Sequence, residues 1–426
     1  MRNQLNIVST TFLVVASMLG TGILTTTGII LQLVKAPGAV VWVWVVGGIL
    51  AWFGAYCYGI IARWLPKNGG EAVILREFFS PVLGEIAGWT SFVVGFAASN
   101  AATSLALSAY LDAAFPGLGL RSDIVACIAL ILVTLLHGAF GATGMRVQTL
   151  LAAVKFSLLA GLVLYGLFLI SPDPARISGG EAAPATFGAD WGVAMMLVMF
   201  AYSGWNAAIY VVSEVKNTGH TVRDAMILGT TIILLLYVGV NLAVLRQLPP
   251  TEIEGVIPII ATLVKSMFGS GASEVFSGLV AFALLSSLGA SAFLGPRVLA
   301  VMLNWLGDRA DRPAVSAVHV SSRLVWLQAA LSIAMVLTGT FEQILTIMGF
   351  LLGFFPIVAV LAIYRIVDED ETAVPAVARY VLAPLFIAAM SVILMLGAWQ
   401  RPVEVSVAIG LVLAFFLLRQ GMRRLA

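Results

Sequence analysis

The stretch Ala16–Thr27, ASMLGTGILTTT, lies in the middle of the first apolar segment, where a membrane helix ought to be most regular. Gly20-Thr21-Gly22 forms its centre, with Ser17 before it and Thr25, Thr26 and Thr27 after it. A glycine inside a helix costs about 1 kcal/mol relative to alanine. Two of them two residues apart, among hydroxyls, describe a helix that breaks. In a bilayer an interrupted helix is tolerated only where the freed backbone is buried in protein or lines a cavity. Two readings compete on this segment alone: an unwound site that holds a substrate, and close helix–helix packing by small residues.

Composition sets the class. Of the 426 residues, 61% are hydrophobic and only 10% charged, against about 25% charged in soluble domains. This predicts an all-α, polytopic membrane protein with the lipid bilayer as its solvent. A net charge of +2 gives no sign of a nucleic-acid partner. Cys57 and Cys127 sit singly in apolar segments, and His137, His220 and His319 are far apart, so neither a metal site nor a cofactor is expected.

A helix needs about 20 apolar residues to cross the hydrocarbon core. On that criterion twelve transmembrane helices are expected, at 5–33, 38–64, 84–114, 122–139, 145–171, 190–216, 222–247, 275–304, 322–338, 342–366, 378–399 and 402–419. With the N-terminus in the cytoplasm, sixteen basic residues fall inside and six outside, with Lys155 on neither side. Lys and Arg bias sets orientation, so both termini are expected in the cytoplasm, in a cell inner membrane. The Pro-, Gly- and Ala-rich connection 173–189 separates two blocks of five spans. The organisation is therefore residues 1–171, residues 190–366, and a C-terminal pair of helices within 378–426. The outer loop 247–274 predicts a short amphipathic helix on the membrane surface, and the acidic run Asp368–Glu371 a solvated loop.

A second interruption stands in the first helix of the second block, as the first stands in the first helix of the first. Residues 199–214 read MFAYSGWNAAIYVVSE, with Ser203-Gly204-Trp205-Asn206 near membrane depth. Paired interruptions in corresponding helices are the strongest sequence pointer to a transporter's binding site. The start of a second half-helix offers free N–H groups to an anion, which assigns Thr21, Gly22 and Ile23, with Gly20 beside them, to a carboxylate. The carbonyls of Ala16, Ser17 and Met18, with those of Phe200, Ala201 and Ser203, are assigned to an ammonium. Both charges one amino-acid backbone apart describe a zwitterionic amino acid. Phe200, Tyr202, Gly204, Trp205 and Asn206 complete the expected site.

Lys155 is the lone charge at membrane depth, about 15 Å from the nearer end of its span at 1.5 Å per residue. Such a residue is functional by default. It either accepts a proton or stays charged in place of a bound cation, donating to carbonyls near Met18–Gly20 and to Ser286 or Ser287. The turn Pro66–Glu71 reads as an ordinary cytoplasmic loop.

These residues carry a resemblance to the amino acid permeases of the amino acid–polyamine–organocation superfamily, most of all to bacterial relatives of the L-type amino acid transporters. Gly20-Thr21-Gly22-Ile23 resembles G-[ST]-G-I of helix 1, and Pro66–Glu71 resembles P-x-[SN]-G-G-x. Phe200–Asn206 is similar to F-A-Y-x-G-W-N of helix 6, Glu214–Asn217 to the E-x-[KR]-[ND] that follows, and Gly144–Lys155 to the helix-5 segment ending in lysine. The resemblance implies a LeuT-type 5+5 inverted repeat with helices 1 and 6 broken, alternating access, and backbone recognition of the substrate. It also implies that Lys155 stands where sodium-coupled relatives bind sodium. One departure is Thr218-Gly219-His220-Thr221-Val222, which lacks the family's prolines.

The expected function is a sodium-independent secondary transporter of neutral amino acids, working as monomer or homodimer, with a proton or a counter-transported amino acid as the second substrate. Uptake, exchange and export stay open. The alternatives are an exporter or polyamine/organocation transporter of the same fold, or a passive channel. The absence of HExxH, G-x-S-x-G and paired intramembrane carboxylates argues against an enzyme.

Overall fold

The computed structural model describes residues 5–117, 119, 121–136, 142–171, 190–216, 218–306, 320–367 and 374–425. The connection 173–189, Asn217, the acidic run Asp368–Glu371, His137 and His319 lie outside the described residues. Everything described is helix, turn or connection, apart from an isolated parallel bridge between Leu5 and Val215.

The first apolar segment forms two helices. α1 (Ile7–Met18) starts at Asn6, whose side chain accepts from Ser9 N–H at 2.9 Å. Leu19 and Gly20 leave the helix, and α2 (Gly22–Val34) begins after them, bent by 45° from α1. α2 is apolar on nearly every side, and all of its residues from Gly22 to Leu31 are buried. A helix hydrophobic all round belongs inside a bundle. Its threonines are satisfied locally: Thr25 and Thr26 hydroxyls donate to Thr21 and Gly22 carbonyls at 2.8 Å, and Thr27 bonds Asn241 at 2.9 Å.

α3 (Pro37–Trp64) opens on a proline, where the missing N–H is harmless, and is followed by the short α4 (Gly70–Phe78). α5 (Pro81–Thr90) passes through a π-helical stretch, Ser91–Ala98, into α6 (Ser99–Ala114). α7 (Ser122–Leu135) and α8 (Ala142–Leu164) follow. α9 (Trp191–Ala201) is buried from Gly192 to Ala201 and packs against α2 and α3. Instead of continuing, the chain turns at Tyr202–Asn206 and runs through short 3₁₀ pieces, Ala207–Tyr210 and Val212–Glu214.

α10 (Thr218–Gln247) packs along α1 and α3. α11 (Ile259–Phe268) is the amphipathic helix expected in the 247–274 loop. It does not lie free on a membrane surface: Ile259, Ile260, Leu263 and Val264 are buried, and it packs against α2 and the following α12 (Ser270–Leu306). α13 (Ser322–Thr338), α14 (Phe341–Val360), α15 (Ala383–Gln400) and α16 (Pro402–Leu425) finish the chain.

Seven described helices are long and apolar enough to cross a membrane, or eight if the bent pair α1–α2 is one span. That is fewer than the twelve segments of the sequence, and the reason is length. α7, α9, α13 and the apolar part of α16 are shorter apolar helices of 10–17 residues. α9, at 11 residues, is about 16 Å long at 1.5 Å per residue, half a bilayer.

Candidate functional site

The site grows from the gap between α1 and α2. Gly20 N–H folds back onto the Met18 carbonyl at 2.7 Å. The carbonyls of Ala16 and Ser17, which would accept from Gly20 and Thr21 in a continuous helix, receive no hydrogen bond from any described residue. At the start of α2 the N–H groups of Thr21, Gly22 and Ile23 likewise find no acceptor among the described residues. A free-donor end thus faces a free-acceptor end within a few residues of each other.

Two of the expected free carbonyls are engaged: the Phe200 oxygen accepts from Ser203 N–H at 2.9 Å, and the other is that of Met18. Its oxygen also accepts from the Tyr237 hydroxyl of α10 at 2.6 Å, so both lone pairs are in use. The Leu19 carbonyl accepts from Lys155 Nζ at 2.8 Å. Lys155 therefore reaches the Met18–Gly20 stretch as expected, from the buried side of α8. Ser287 Oγ donates to the Ala283 carbonyl within its own helix, and Ser286 is buried; neither bonds Lys155.

The second interruption lies directly against the first. At Gly22 a Cβ would fall 2.4 Å from Ala201 Cα, so this glycine is a close-packing residue at the crossing of α2 and α9. Gly204 has φ +101°, and a Cβ there would lie 2.7 Å from the Ser17 carbonyl oxygen. Both readings of the opening stretch thus apply, at different residues. Gly22 serves packing, whereas Gly20 has only the Met18 oxygen within 4 Å, at 3.9 Å, and opens onto space.

That space is a cavity of about 280 Å³. Of the expected residues it is lined by Ala16, Ser17, Met18, Gly20, Thr21, Gly22, Phe200, Ala201, Ser203, Lys155 and Ser287. Ile23, Tyr202, Gly204, Trp205, Asn206 and Ser286 do not line it. Tyr202 is fully buried, donates its hydroxyl to the Trp44 carbonyl at 3.0 Å and packs against the Trp44 and Tyr237 rings. Trp205 packs edge-on against Tyr58, with ring centres 4.7 Å apart. Asn206 donates to Glu71 Oε1 at 2.7 Å.

Four polar residues of the cavity wall were not read from the sequence: Ser99, Asn100 and Thr103 on α6, and Ser291 on α12. Asn100 is 4% exposed, and its side chain makes no hydrogen bond among the described residues. The signal was present, since Ser99, Asn100 and Thr103 occupy one face of a membrane helix, just after a π stretch of the kind found at functional sites. Phe96, Leu284 and Leu294 supply the apolar part of the wall. Among the described residues no Asp or Glu lines the cavity.

A helical membrane protein with two interrupted segments meeting at a mixed polar–apolar cavity is the class these features define. The chain belongs to the amino acid permease family, whose model matches residues 5–417. It is 25% identical over 312 residues to the b(0,+)-type amino acid transporter 1 of Mus musculus, covering 71% of this chain and 63% of the relative. It is 25% identical over 376 residues to the serine/threonine exchanger SteT of Bacillus subtilis (strain 168), covering 85% and 83%. A third relative, the large neutral amino acids transporter small subunit 2 of Oryctolagus cuniculus, is 25% identical over 283 residues, 63% of this chain and 52% of that one. The chain thus spans less than two thirds of the length of the b(0,+)-type relatives it matches.

Proposed function

We propose that the chain is a secondary transporter that exchanges neutral L-amino acids across a membrane by alternating access, without sodium. The reading rests on one observation above all. The free N–H groups of Thr21 and Gly22 and the free carbonyls of Ala16 and Ser17 belong to residues that line one cavity. The start of α2 suits a carboxylate, and the carbonyls at the end of α1, joined by Ala201 and Ser203 across the cavity, suit an ammonium. Lys155, fixed on the Leu19 carbonyl, puts a cation where a metal ion would otherwise bridge the break, which supports sodium independence.

On this reading α7, α9, α13 and α16 join the long helices as spans, giving twelve crossings. Residues 1–171 and 190–366 form the two inverted five-helix repeats, α1–α2 and the segment from α9 to Glu214 are their broken first helices, and 378–426 carries the last two spans. Both termini lie in the cytoplasm. A polyamine substrate fits poorly, because among the described residues the only charge on the cavity wall is the lysine.

The test is counterflow in proteoliposomes. Unlabelled neutral amino acid inside should accelerate uptake of the labelled one, equally in sodium and choline buffers. Uptake without trans-stimulation indicates a passive pore, and no uptake of any of the twenty amino acids overturns the reading.

A further inference from the structure

Glu71 lies outside the membrane-spanning helices, in the first turn of α4, and is 8% exposed. Its Oε1 accepts two hydrogen bonds, from the Tyr58 hydroxyl of α3 at 3.0 Å and from Asn206 Nδ2 at 2.7 Å. Among the described residues no donor reaches Oε2. Asn206 ends the turn that interrupts the second broken segment. The same loop grips that segment again further on, where Ser213 N–H donates to Asn68 Oδ1 at 2.8 Å, and the Tyr210 ring lies against Gly70. Leu5 pairs with Glu214 and Lys216 beside it, with N–H···O distances of 2.8 and 2.9 Å. The loop 67–71 is therefore fastened to residues 206–213 just beyond the cavity.

The charges around Glu71 are engaged elsewhere. Lys67 pairs with Glu77 at 3.1 Å, Arg76 faces Glu85 at 3.9 Å, and Glu85 also bonds Arg419. Arg365, from the segment after α14, donates to the Phe78 carbonyl and lies over the Phe79 ring. Tyr210 and Tyr364 are the other titratable side chains of the 3₁₀ pieces packed on α4, α3, which supplies Tyr58, also carries Tyr56, Cys57 and Arg63, and α14 places its Glu342 against Arg401 at its far end. Neutral donors alone leave an ionised carboxylate poorly compensated. Burial pushes the Glu71 carboxyl up to about 7, and the hydrogen bonds from Tyr58 and Asn206 only partly oppose it.

We propose that Glu71 is a proton-binding site of the transport cycle, holding the 67–71 loop clamped on residues 206–213 when protonated and releasing that segment when ionised. The proposal rests on the transport reading above. A protonated carboxyl keeps both hydrogen bonds on Oε1 and carries its proton on Oε2; the proton comes from water at that end of the bundle and returns to it. The sign follows from linkage. The clamped arrangement raises the pKa, so the clamp is fully favoured below the ordinary carboxyl value of 4.5 and fades as pH rises through about 7. Across that window the clamped-to-released ratio falls by up to about 300-fold.

The experiment compares wild type with Glu71→Gln, which mimics the protonated form and retains an acceptor for both donors. Exchange of labelled amino acid is measured from pH 5 to 8 with equal pH on both sides, together with thermal unfolding over the same range. The proposal expects a pH-dependent wild type and a flattened variant. It also expects the melting temperature of the variant to gain on wild type as pH rises through 7. Identical pH profiles in both proteins overturn it. If the variant does not fold, proton uptake or release by wild type on adding amino acid is measured with an indicator dye at pH 6 to 7.5, and none at any pH overturns the proposal. Absence of exchange by wild type at every pH refutes the transport reading instead, while the unfolding comparison still decides Glu71.

Discussion

Gly204 stands with its α-carbon against the Ser17 carbonyl, so that a Cβ at this position would lie 2.7 Å from the oxygen. The two interruptions, 187 positions apart in the chain, are thereby one structure. Gly204 meets the contact with φ +101°, a conformation that L side chains rarely adopt. Gly204→Ala should destabilise the protein by about 1–3 kcal/mol through backbone strain and crowding, and should weaken amino acid binding at least tenfold. Gly20→Ala is the matched control, because its new methyl meets only the Met18 oxygen, at 3.9 Å. It should keep wild-type melting while reducing binding of larger substrates. Thermal unfolding with and without amino acid reads both outcomes, and equal behaviour of the two variants would refute the distinction.

Tyr237 fixes the end of α1. Its hydroxyl donates to the Met18 carbonyl at 2.6 Å, beside the free carbonyls of Ala16 and Ser17. Tyr237→Phe removes one buried hydrogen bond and should lower stability by about 1 kcal/mol. The effect on exchange should exceed the effect on folding, because the freed carbonyl lets the break relax. A variant with full exchange and a lowered melting temperature would make Tyr237 a stability residue only.

How much of this was legible follows from what kind of anomaly each residue presents. Gly20-Thr21-Gly22, Ser203–Asn206 and Lys155 stand out because helix breakers and charge are costly at membrane depth, and the structure brings these segments together. Tyr202 and Trp205 were drawn in with their motif, yet their rings pack away from the cavity, since the turn after Ala201 rotates them toward α3. Tyr237 was missed because one tyrosine in an apolar span carries no local signal and its role depends on a long-range contact, whereas Asn100 shares a helix face with Ser99 and Thr103, a polar signal weaker than a helix break or a charge. Glu71 read as part of an ordinary turn because nothing in Pro66–Glu71 foretells burial beneath Asn206. The count of spans outran the long helices because hydropathy does not register a helix such as α9 stopping halfway.

Lys155 donates to the Leu19 carbonyl at 2.8 Å, and both residues line the cavity. Lys155→Ala leaves that carbonyl without its donor and the break without its cation. Exchange should fall at least tenfold, an activation or coupling loss of about 1.4 kcal/mol or more. Sodium should not restore it, because removing a cation does not create the oxygen ligands a sodium ion needs. Rates measured in sodium and choline buffers check both statements, and recovery in sodium would contradict the second.

On the proposed transport reading, the rest of the cavity wall selects the substrate side chain. Asn100, 4% exposed and lacking a partner among the described residues, lines the cavity with Ser99, Thr103 and Ser291, while Phe96, Leu284 and Leu294 form the apolar remainder. An amide that lines the cavity without a protein partner favours a substrate that supplies one, a hydrogen bond there contributing about 0.5–1.5 kcal/mol. Short hydroxyl or amide side chains should therefore bind better than aliphatic ones of similar size. Asn100→Leu should reverse that order, weakening serine and threonine by about tenfold or more while leaving valine and leucine unchanged or improved. Competition of unlabelled amino acids against a labelled substrate, in wild type and variant, measures the reversal. A uniform loss across all substrates would instead assign Asn100 to holding α6 in place, with no part in choosing the substrate side chain.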